Sequence, residues 1–65
     1  MTNVVLEYLE EAPEYGTFPT VRALFDDVVL YASIALAPFE PNRAAIAREL
    51  AAHEELVYAL IADPA

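Results

Sequence analysis

The chain has 65 residues, no cysteine, and eleven Asp and Glu against three Arg, for a formal net charge of −8. That length makes one domain, residues 1–65, and excludes a large core, since a chain this short buries only about 60% of its unfolded surface. Lack of cysteine excludes disulfides and thiolate metal sites, and Arg22, Arg43 and Arg48 are too few and too scattered for attraction to nucleic acid.

Oligomerisation or a partner protein is then the remaining way to support so small a fold. The apolar fraction points the same way, at 58% where about 45–50% is usual. An apolar chain with an acidic exterior fits either a basic partner or a need for solubility, and solubility is the simpler cause. Lysine is absent and alanine abundant, which suggests the GC-rich genome of a bacterium or a phage.

In chain order, the first predicted element is a helix over residues 3–12, capped by Thr2 or Asn3. Val5, Leu6 and Leu9 make its apolar stripe, and Pro13 ends it. Val4, Val5 and Leu6 would also suit a strand start, but Glu7, Leu9, Glu10, Glu11 and Ala12 favour helix. Glu7, Glu10, Glu11 and Glu14 form an acidic cluster set partly against the helix dipole, and this is a possible surface for a basic partner. The linker that follows holds Gly16 and Pro19, with Tyr15 and Phe18 expected to fold back on the core.

The second predicted helix spans about residues 20–37, with Thr20 as its cap. Val21, Leu24, Phe25, Val28, Tyr31, Ala32 and Ala35 make a stripe at helical spacing. Val29, Leu30, Ile34 and Leu36 lie off that stripe, so the helix is apolar nearly all round after Asp26 and Asp27. Two neighbouring helices cannot cover such a surface. Val29, Leu30, Ile34, Leu36 and Phe39 are therefore the expected interface, because monomers rarely leave large apolar patches bare. Asp26 and Asp27 point about 100° apart on a helix, so they form no shared acid–base dyad. Arg22 and Asp26 make an i,i+4 pair of modest value, and a solvated face is the simpler reading of both acids. Ser33, the single serine, is expected to bond the backbone one turn back.

The third predicted helix runs over about residues 42–62 with Asn42 as its cap. Ile46, Leu50, His53, Val57 and Leu60 form a seam of coiled-coil spacing. Arg43 and Arg48 near its start and Glu54, Glu55 and Asp63 toward its end oppose the dipole, so tertiary pairing or solvation is expected to explain them. His53 and Glu49 supply two metal ligands where at least three are needed, so His53 reads as a seam residue bonded to a neighbour.

The expected architecture is all-α: two long antiparallel helices and a short N-terminal one. No catalytic, cofactor or metal motif is visible. The apolar run over residues 28–39 is too short to span a membrane, which needs about 20 residues, and the N-terminus lacks a basic leader. A cytoplasmic, non-enzymatic interaction module is therefore expected. It would self-associate or dock as an accessory subunit on a larger protein through the second helix. The alternative is an acidic inhibitor, immunity-type protein or nucleic-acid mimic that neutralises a basic partner.

Overall fold

The computed structural model describes residues 3–14 and 16–62. Thr2 as a cap, Tyr15 as a core aromatic and residues 63–65 as the chain end lie outside the described residues. Among those described, the order is α1 (Val4–Glu11), a 3-10 turn (Ala12–Glu14), α2 (Val21–Ala35), α3 (Arg43–Ala52) and α4 (Glu54–Leu60). The fold is all-α, and no described helix is long and apolar enough to cross a membrane.

Side-chain caps start three of the helices. Asn3 Oδ1 accepts from the N–H of Leu6 at 3.0 Å, Thr20 Oγ1 from Ala23 at 3.1 Å, and Asn42 Oδ1 from Ala45 at 3.0 Å. Each satisfies a backbone donor that has no partner inside its helix. Thr20→Ala is expected to cost about 1 kcal/mol. In thermal denaturation followed by circular dichroism, that lowers Tm by about 4–8 °C in a domain of this size.

The second long helix expected over residues 42–62 is not continuous. It breaks at His53, whose φ of −116° and ψ of 45° lie outside the helical region. The His53 N–H is shared between the carbonyls of Glu49 and Leu50, at 3.2 Å each. The break turns α4 onto α1 and the 3-10 turn, while α3 packs on α2. Ile46, Leu50, Val57 and Leu60 all remain buried, so the expected seam survives the change of direction. Helix propensity of the flanking alanines favours continuity, and tertiary burial overrides it.

The break also removes a supposed conflict. Glu54 and Glu55 are not near the end of a long helix but in the first turn of α4, where the dipole favours carboxylates. Tertiary pairing is not needed to explain them.

The linker between α1 and α2 turns at Gly16, whose φ of +112° is open to glycine and strained for other residues. Phe18 then packs against the core as expected and clips the linker to the end of α4. Its N–H donates to Leu60 O and its carbonyl accepts from Ala62 N, both at 2.7 Å. α2 ends slightly earlier than expected, with Leu36 as its C-cap, and the turn to α3 contains a cis Ala37–Pro38 bond. The core draws on all four helices, with Leu9, Leu24, Val28 and Leu60 the largest fully enclosed side chains.

Candidate interaction surface

Helix geometry decides which residues of α2 can be covered. Leu24, Val28 and Ala32 repeat every four residues along one line and are almost fully enclosed. Leu30 and Ile34 each follow a residue of this line by two positions, about 200° around the axis, so they point away from the core. Leu30 is 58% exposed and Ile34 72%. Beyond the helix end, Leu36 and Phe39 are also exposed, Phe39 at 76%, and Phe39 N donates to Leu36 O at 2.9 Å. Val29 departs from the expected set. It lies only about 100° from Val28, within the width of a core-facing stripe, and is 9% exposed. It packs with the chain's own core and also lines the depression facing the start of α3.

The Leu30–Ile34 ridge stands between two depressions. One, of about 260 Å³, lies between α1 and α2 and is lined by Tyr8, Glu11, Asp27, Leu30, Tyr31 and Ile34. The other, of about 410 Å³, faces the start of α3 and includes Asp26, Leu30, Ser33, Glu40 and Arg43. The carboxylates of Glu11, Asp26, Asp27 and Glu40 thus border the apolar ridge, with the guanidinium of Arg43 on the lining and that of Arg22 beside Asp26. Ser33 Oγ donates to Leu30 O at 2.7 Å, the backbone bond expected for it.

Cross-helix polar bonding fixes the first depression. The Tyr8 hydroxyl donates to Asp27 Oδ2 at 2.5 Å, and the Tyr8 and Tyr31 rings meet at 5.4 Å with a 60° tilt. Asp27 is therefore not a freely solvated acid but half-buried, tying α2 to α1, whereas Asp26 is exposed. Tyr8→Phe keeps the ring and removes the donor. It is expected to cost about 1.5–3 kcal/mol, as for a hydrogen bond to a charged group. Urea unfolding should register this as a lower midpoint at unchanged slope.

Glu7, Glu10, Glu11 and Glu14 are all exposed, and of the four only Glu11 reaches the ridge. Arg22 and Asp26 meet at 3.5 Å as expected, on an exposed face where such a pair is worth little. Among the described residues neither Arg43 nor Arg48 forms an ion pair, and both are exposed, so of the two causes expected for them solvation fits and tertiary pairing does not.

At the helix break, Glu49 Oε2 accepts from Asn3 Nδ2 at 3.0 Å and stands 3.8 Å from His53 Nε2. The cluster ties α1 to α3. Among the described residues no three His, Asp or Glu side chains are placed to hold a metal ion. On α4, a hydrogen bond with Glu54, and then its charge, raise the Tyr58 hydroxyl above the ordinary phenol value.

An apolar groove of about 590 Å³ opens between the start of α2 and the α3–α4 bend, floored by Phe25, Leu50 and Val57. Val21 and Tyr58 at its edges are 50% and 65% exposed. Sequence periodicity put Val21 and Phe25 on the core stripe and gave no sign of this opening, which exists because α4 turns away from α2. Arg22 and Glu54 at its mouth balance in charge and favour neither sign of partner.

Comparison with family models, curated proteins and solved structures gave no match to the chain.

Proposed function

We propose that this chain is a non-enzymatic protein–protein interaction module. It self-associates or docks as an accessory subunit through the outward face of α2. The observation that carries this reading is the exposure of Leu30, Ile34 and Phe39 on a chain too small to cover them. Burying a Leu, Ile or Phe side chain is worth about 1.5–3 kcal/mol. Leu30, Ile34, Leu36 and Phe39 are already partly covered, so the surface they have left would together yield about 4–7 kcal/mol gross. Association costs about 4–15 kcal/mol in lost freedom. The ridge alone therefore supports weak binding, and a stable complex needs additional contacts from its borders. Sedimentation velocity on the purified chain is the test. Concentration-dependent association, or a complex with a co-purified partner, is expected. A lone, soluble monomer at millimolar concentration would count against the reading.

The second reading is an acidic inhibitor, immunity-type protein or nucleic-acid mimic. The exposure of Glu7, Glu10, Glu11 and Glu14 with no ion pair among the described residues favours it. Binding of this kind weakens as salt screens exposed charge, and salt-insensitive binding would argue against it. Both readings are of a cytoplasmic protein that binds protein, not nucleic acid.

A further inference from the structure

We infer that the outward face of α2 takes an amphipathic helix of another protein, apolar along one stripe and flanked by Arg or Lys, in preference to a second copy of this chain. The inference rests on the reading of this face as an interface and adds the chemistry of its occupant. Leu30 and Ile34 are one turn apart on α2 and form a ridge with a depression on each side. A helix laid alongside such a ridge places side chains at i, i+3, i+4 and i+7 into the depressions.

Charge selects the occupant. Glu11 and Asp27 border one depression and Asp26 and Glu40 the other, with Arg43 on the lining. Arg22 is paired with Asp26 and Tyr8 is bonded to Asp27, so Glu11 and Glu40 are the border acids outside those bonds. A two-fold pairing of copies sets the same patch on both sides, so it would bring these acidic borders together. Like charges facing across an interface oppose association, whereas a basic-flanked helix meets them with complementary charge.

The test uses three synthetic helical peptides and the intact chain, with fluorescence anisotropy as readout. One peptide carries a Leu stripe flanked by Arg. The second replaces those Arg with Glu. The third has the composition of the first with its stripe scrambled. The Arg-flanked peptide is expected to bind about tenfold tighter than the Glu peptide at low salt, since three or four exposed charge pairs each contribute about 1.4- to 5-fold, and tighter than the scrambled peptide because only the intact stripe presents its apolar side chains together on one face. Its advantage over the Glu peptide should vanish as salt rises from about 0.01 M to about 1 M and the screening length falls from about 30 Å to about 3 Å. Glu11→Gln combined with Glu40→Gln should cut that tenfold preference for Arg over Glu by about 2-fold or more, up to its complete loss.

Equal binding of the Arg and Glu peptides overturns the inference, as does a preference that the two Gln substitutions leave unmoved. If the peptides are not discriminated but the chain dimerises and Leu30→Ser with Ile34→Ser dissociates it, the interface reading stands and the occupant is a second copy. If the Arg peptide binds and Leu30→Ser with Ile34→Ser has no effect, both the inference and the interface reading fall.

Discussion

Ile34→Glu is expected to leave the chain folded and to abolish its association. Ile34 is 72% exposed and points away from the core line of Leu24, Val28 and Ala32. A substitution at such a site normally changes stability by about 0.5 kcal/mol or less. Glu also has a somewhat better helix propensity than Ile. In a complex the same carboxylate would lie where an apolar side chain is buried, next to the borders formed by Glu11 and Asp27. Loss of a central apolar anchor costs about 2–4 kcal/mol of binding, or about 30- to 1000-fold in affinity. Circular dichroism should match the parent, and binding of the Arg-flanked helical peptide should be lost, as should any self-association that sedimentation finds in the parent. Unfolding of the variant would mean that Ile34 belongs to the chain's own core.

Leu24→Ala should do the opposite. Leu24 is 0% exposed and packs with Val28, Ala32 and the buried side chains of α1 and α3. Truncating a buried Leu to Ala costs about 2–5 kcal/mol. A domain of 65 residues has about 3–10 kcal/mol in all. The variant therefore loses about a fifth or more of its stability, and Tm falls by about 8 °C or more. Urea melts read both variants on one scale. The contrast between two apolar positions of the same helix separates a core residue from an interface residue, which neither experiment does alone.

The helices were legible in the sequence because their signals are local. Asn3, Thr20 and Asn42 each stand one residue before the helix they cap. Pro13 stands just past the end of α1, although Ala12 before it keeps a helical conformation and the chain continues as a 3-10 turn to Glu14, and the four-residue repeat of Leu24, Val28 and Ala32 states which side of α2 is buried. The outward placement of Leu30 and Ile34 follows from the same 3.6-residue period. Val29 sits at the edge between the core and that outward face, largely buried yet lining a depression beside the ridge, because a core stripe is broader than one line of residues.

The break at His53 was not legible, since no Gly or Pro marks it and Ala51 and Ala52 favour helix. One trace of it was present. Glu54 and Glu55 sit badly at the end of a long helix and well at the start of a new one. An electrostatic misfit in an assumed element was in this case a sign of a wrong boundary. The bond from Tyr8 to Asp27 crosses from α1 to α2 over 19 residues of sequence. Nothing local pairs those two side chains, so the half-buried acid beside the ridge came only from the tertiary structure.

The sequence contains three isoleucines, and they divide by environment in a way that tests the account directly. Ile46 is 5% exposed in the core, Ile61 is partly buried at the bridge to Phe18, and Ile34 is 72% exposed on the proposed face. Isoleucine δ1-methyl labelling therefore gives three resonances, whose bleaching by a soluble nitroxide can be followed in dilute chain and in its associated state. The account predicts that the Ile34 methyl is bleached when the chain is dilute and protected once it is bound to a second copy or to the Arg-flanked helix. Ile46 should be protected throughout. An Ile34 methyl bleached equally in the free and associated states would contradict the assignment of this face as the interface.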